Sequence, residues 1–219
     1  DIVVVLNIGG IMDLSWVKND DRISSALLGW QGGMEGGLAM AELLTGKGNP
    51  SGKLADTFAA DVNDYPSTAN FHESFDYVNY TEDIYVGYRY YDKAEKQVLF
   101  PFGHGLSYTQ FAYSGLKLDK TRFKAENGLT LTFRVRNTGE RDGAEVAQVY
   151  VADVESSVFK APKELKGFEK VFLKAGEEKT VESIWMNGPF RITIRKQRLG
   201  AWKAGNIRFS WALLAGIFA

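Results

Sequence analysis

Ile2-Val3-Val4-Val5-Leu6-Asn7-Ile8 is a nearly continuous aliphatic run, rich in β-branched residues. Such a run is the pattern of a strand buried on both faces of a parallel sheet. Outward from it, Ala26–Trp30 is a second short apolar run, Gln31–Gly37 a glycine-rich turn, and Leu38–Leu44 a helical pattern. Gly46 is placed to cap that helix, with Pro50 beyond it. Strand, connection, strand, turn and helix in this order predict a piece of α/β sheet. Asn49-Pro50-Ser51-Gly52 is expected to turn, and Asp61–Tyr80 to run as a long surface loop. Asp1 leads straight into the first strand, so the chain reads as the interior of a longer protein; the lack of a leader then says nothing about compartment.

From Leu116 the texture changes to alternating strands. Leu129–Val135, Val146–Val151, Gly167–Leu173 and Lys179–Ser183 are separated by turns at Asn137-Thr138-Gly139 and Ala175-Gly176. That spacing predicts a β-sandwich of about 80–100 residues. Leu165 and Phe168 are assigned to its core. No internal repeat or low-complexity segment interrupts either half.

The 219 residues allow two small domains or one large one, and 45% hydrophobic with 24% charged residues supports a packed core. A net charge of −1 provides no field for nucleic acid or an anionic membrane. With no cysteine, disulfides, thiolate metal sites and a Cys nucleophile are excluded. Two histidines, His72 and His104, are too few for a His-rich metal centre. No apolar run approaches the roughly 20 residues of a spanning helix. The near-neutral total hides an asymmetry: from Ser183 to Ala219 there are six basic residues and no acid, against 20 basic and 27 acidic residues before.

Several clusters could carry chemistry. Gly32, Gly33, Gly36 and Gly37 precede a helix, where backbone N–H groups could cradle a phosphate. The spacing matches neither the dinucleotide fingerprint nor the P-loop, and no Lys-Ser/Thr pair follows. Glu35 stands where the helix dipole favours a carboxylate, which alone accounts for it. Tyr77, Tyr80, Tyr85, Tyr88, Tyr90 and Tyr91 crowd into fifteen residues. A sugar-stacking cleft is one reading; core and interface packing is the commoner use of such rings. Glu82, Asp83 and Arg89 could form an ion-pair cluster beside them, and His104, between Gly103 and Gly105, reads as a hydrogen-bonded turn residue.

Specific strings carry more. Gly32-Gly33-Met34-Glu35-Gly36-Gly37, Asn49-Pro50-Ser51-Gly52-Lys53-Leu54, Tyr85-Val86-Gly87-Tyr88-Arg89-Tyr90-Tyr91-Asp92 and Phe100-Pro101-Phe102-Gly103-His104-Gly105-Leu106-Ser107-Tyr108-Thr109 resemble the C-terminal α/β-sandwich domain of glycoside hydrolase family 3. Val135, Asn137, Thr138, Gly139, Gly143, Glu145, Gln148, Tyr150, Pro162, Glu164, Leu165, Gly167, Phe168 and Gly176 resemble its fibronectin type III-like domain. The likeness is closest to the family's bacterial β-glucosidases.

The resemblance implies a partial, flavodoxin-like α/β sandwich over residues 1–115, then an all-β immunoglobulin/fibronectin III-like sandwich over 116–190. It implies a retaining β-glucosidase or other exo-acting hydrolase that removes terminal sugars from β-glucosides or oligosaccharides, without a cofactor or metal. In that family an Asp nucleophile sits on a separate barrel domain and a Glu acid/base lies upstream of the strand matching Ile2–Ile8. Both are expected outside this chain. Glu35 aligns with the helix start and takes no such role, and no substrate-binding residue is assigned. The expected partners are a carbohydrate and the barrel, which some members place after these domains; Asn7-Ile8-Gly9-Gly10 and Trp30-Gln31-Gly32-Gly33 look like that subgroup. Phe100, Phe102 and Leu106 are expected at the junction of the two domains, and the Tyr-rich segment and the Asp61–Tyr80 loop nearest the barrel. The compartment, cytoplasmic or secreted, is not indicated. The alternative is a non-catalytic carbohydrate-binding or adhesion module. Residues 191–219 depart from the family's closing Tyr-Tyr-Asn, Trp and Val-Gly-x-Ser-Ser pattern, but codons read from their third base permit that whole ending. A reading-frame shift near Phe190–Arg191 would explain the acid-free tail.

Overall fold

The computed structural model describes residues 1–121, 128–156, 158–185 and 207–211. The chain divides into two compact units, Asp1–Leu106 and Ser107–Ala219. The division falls ahead of the 115/116 boundary expected from sequence, because Phe111–Leu118 is already a sandwich strand.

In the first unit, β1 (Ile2–Leu6) pairs in parallel with β2 (Ile23–Leu28), from Val3 opposite Ser25 to Leu6 opposite Leu28. The parallel pairing matches the sequence pattern, with β2 starting earlier than the expected Ala26. Burial on both faces does not hold: the sheet has two strands, and Ile2, Val3 and Val5 stay 42, 52 and 41% exposed. A short helix, α1 (Ser15–Asn19), connects the strands and contributes Val17 to a core around Leu6, Leu14 and Phe58. Helix α2 (Gly36–Leu44) follows the glycine turn and stops where Gly46 takes φ +74°, its N–H bonding the Leu43 carbonyl at 3.0 Å. That is the left-handed cap the sequence predicted. Asn49-Pro50-Ser51-Gly52 does not turn; the bend comes earlier, at Thr45–Gly48. The chain then runs along Phe102–Gly105, with Leu54 N–H donating to His104 O and Gly103 N–H to Leu54 O, both 2.8 Å. The two backbones lie so close that a Cβ on Gly105 would sit 2.1 Å from the Gly52 oxygen. Strands β3 (Phe58–Ala59) and β4 (Val98–Phe100) pair antiparallel, and α3 (Tyr88–Ala94) carries the tyrosine string.

The second unit holds two antiparallel sheets. One orders β5 (Phe111–Leu118), β6 (Leu129–Asn137) and β9 (Glu178–Trp185); the other orders β10 (Ile207–Trp211), β7 (Gly143–Asp153) and β8 (Glu164–Leu173). The inward positions of β6 show strict alternation: Leu129, Leu131, Phe133, Val135 and Asn137 are all buried. They cluster with Ala147, Val149 and Val151 of β7, Val171 and Leu173 of β8, and Val181 of β9. Phe168 corrects the sequence assignment. It is 70% exposed, while Leu165 is half-buried. Val171 and Leu173 fix the inward set of β8, and Phe168, three residues before Val171, falls on the opposite face. In the expected tail, residues 207–211 pair with β7, Ile207 opposite Asp153 through Trp211 opposite Val149; the rest of 191–219 lies outside the described residues.

Candidate functional site

Three parts of the first unit gather the residues singled out by sequence. The first lies beyond the C-terminal ends of β1 and β2, where parallel α/β sheets place ligands. Asn7, Gln31, Gly32, Gly33, Gly36, Gly37 and Met40 line an open depression of about 400 Å³. The turn is tight: a Cβ on Gly32 would lie 2.9 Å from the Gly36 Cα. Trp30, which enters it, takes φ +50°. These seven lining residues carry no formal charge, so nothing among them neutralises a phosphate. Glu35 occupies the N-cap position of α2, exposed and without a capping hydrogen bond. The structure therefore gives it a dipole role at most.

The second part is the tyrosine string, which the structure splits. Tyr91 is buried edge-to-face on Tyr65 and Tyr90, with ring centroids 6.3 and 5.3 Å away. Burial first, then the charges of Tyr65, Asp64 and Tyr90, push its phenol far above the usual range. Tyr88 stacks on Phe102 at 4.9 Å. Lys96 bonds Asp64 at 2.7 Å and lies over the Tyr90 ring. These rings are packing. Tyr77 and Tyr80 instead stand exposed on the Asp61–Tyr80 loop, which is a surface segment as expected, with one 3₁₀ turn at Val62–Asp64. Sequence reasoning missed Phe71 and Phe75, which stand exposed beside them.

The third part is the Phe100–Leu106 segment. Phe100 packs edge-on to Phe58 at 6.4 Å and Phe102 on Tyr88, both within the first unit. Leu106 is exposed. His104 holds the turn through its backbone and tilts over Phe100 at 5.5 Å, as a structural residue. Burial, then Lys53 and Lys18, lowers its proton affinity. Glu82, Asp83 and Arg89 do not assemble into an ion-pair cluster; Arg89 donates from Nε to the Val86 carbonyl at 3.4 Å.

A general acid at neutral pH needs a carboxyl held protonated. Among the described residues, the carboxyls with resolved shifts are Asp13, Asp20, Asp119 and Glu177, and all move down. Hydrogen bonds hold them ionised: Ser15 N–H on Asp13, the Arg22 guanidinium on Asp20, Thr130 N–H on Asp119 and Lys174 N–H on Glu177. Also among the described residues, no group of three or more His, Asp or Glu could hold a metal ion, and no helix is long and apolar enough to cross a membrane.

Residues 1–108 match the glycosyl hydrolase family 3 C-terminal domain, and residues 145–216 match a fibronectin type III-like domain. The chain belongs to glycoside hydrolase family 3. The second match runs past Phe190, beyond the end of the resemblance expected from sequence. The chain is 46% identical over 195 residues to beta-glucosidase A of Butyrivibrio fibrisolvens, covering 82% of this chain and 24% of that protein. It is 44% identical over 182 residues to an exo-alpha-(1->6)-L-arabinopyranosidase of Bifidobacterium longum, covering 83% and 23%. Among solved structures it resembles a family 3 beta-glucosidase from Bifidobacterium adolescentis with a TM-score of 0.77 and 42% identity, over 86% of this chain and 27% of that one. The chain thus spans about a quarter of the length of the relatives it matches, and the two matched domains fit an α/β domain followed by a β-sandwich.

Proposed function

We propose that this chain is the C-terminal α/β and fibronectin III-like portion of a retaining, exo-acting β-glucosidase. The single observation carrying this reading is 46% identity to a beta-glucosidase maintained over 82% of the chain. In the whole protein an Asp nucleophile on a barrel domain would form the glycosyl-enzyme. A Glu would protonate the leaving oxygen and then activate water. Both carboxylates lie outside these 219 residues in this reading. This portion supplies scaffold and cleft wall and is inactive alone. The sugar is selected elsewhere, since a beta-glucosidase and an arabinopyranosidase are about equally similar to it.

The test is twofold. Sequencing several hundred bases beyond both ends should reveal a barrel with its nucleophilic Asp; its absence on both sides would leave only a binding module. The isolated chain should not hydrolyse an aryl β-glucoside, and turnover would place catalytic carboxylates inside it. For residues 191–219 the proposal remains a frame shift near Phe190–Arg191, supported by six basic residues without an acid. Resequenced codons that cannot encode the family's closing segment in the shifted frame would refute it.

A further inference from the structure

We draw no further inference here: the strongest candidate, the outer face of β8 where Phe168 and Phe172 stand 70 and 54% exposed on either side of Lys170, carries nothing, because nothing in the structure shows what covers that face in a chain spanning about a quarter of the length of its relatives.

Discussion

The two units bury their apolar residues to different degrees. In the sandwich, four strands interlock Leu129, Leu131, Phe133, Val135, Val149, Leu173 and Val181 into a closed cluster. In the α/β unit, β1 and β2 form a sheet by themselves, and Ile2, Val3, Val5, Trp16, Leu38 and Leu44 remain exposed around a small core. A two-stranded parallel sheet is rarely stable unless both faces are covered. The difference teaches that helix and strand patterns suffice to form the first unit's elements but not to bury them, whereas the second carries its own complement.

The widest separation should come from cutting the units apart. Residues 1–106 alone are expected to lack a cooperative thermal transition and to aggregate, because an apolar strand edge is left open. Residues 107–219 should melt cooperatively. A sharp calorimetric peak from 1–106 would erase the contrast. Within the sandwich, Phe133→Ala should cost about 3–5 kcal/mol by denaturant titration, since Phe133 is buried between the sheets. A loss under about 1 kcal/mol would show that the core relaxes around the gap.

Asn137 sharpens the comparison at smaller amplitude. It is fully buried at the end of β6, yet each side-chain atom is engaged. Its Oδ1 accepts from Thr109 Oγ1 at 2.7 Å and Gly139 N–H at 3.1 Å, and its Nδ2 donates to the Arg141 and Leu173 carbonyls at 2.7 and 3.3 Å. Asn137→Ala should cost about 2–3 kcal/mol, because it strands buried partners as well as opening a gap. Phe168→Ala, on the outer face of β8, should change stability by less than about 0.5 kcal/mol. Equal losses in the two variants would contradict the assigned faces of the sheet.

These residues also show what sequence could reveal. The alternation of β6 is unbroken, so its strand and core face were legible from the letters. Strand β5 was not: Gly115 at φ +65° opens an irregularity between Ser114 and Lys117, and Phe111, Tyr113, Leu116 and Leu118 then fall out of period. Phe168 was misplaced because an aromatic beside Leu165 and Gly167 looks like core until its parity with Val171 is counted. In the loop, the crowding of tyrosines was visible, but which rings are buried depends on α3 and on pairings across thirty residues such as Lys96 with Asp64. The hydrogen bond from Asn70 Nδ2 to the Asn79 carbonyl across that loop has no sequence signature, since asparagines in loops are ordinary.

The smallest expected effect tests whether the first unit is nonetheless ordered around His104. Partial burial, with Lys53 and Lys18 adding to it, disfavours the imidazolium in the folded state. The folded pKa is thus below the unfolded value of about 6.5. Between the two values the unfolded chain binds more protons, so stability rises with pH there. The contribution is fully present above about pH 6.5, declines as pH falls through the window, and levels off below the folded pKa. His104→Gln removes the titrating group and keeps a polar side chain over Phe100. Comparing the melting temperatures of parent and variant from about pH 7.5 to 5.5 cancels every other titration the two share. The parent should lose stability on acidification relative to His104→Gln. Parallel curves would mean that His104 is solvated in solution, and that the turn clamped by Leu54 is open in the unit whose apolar residues are least covered.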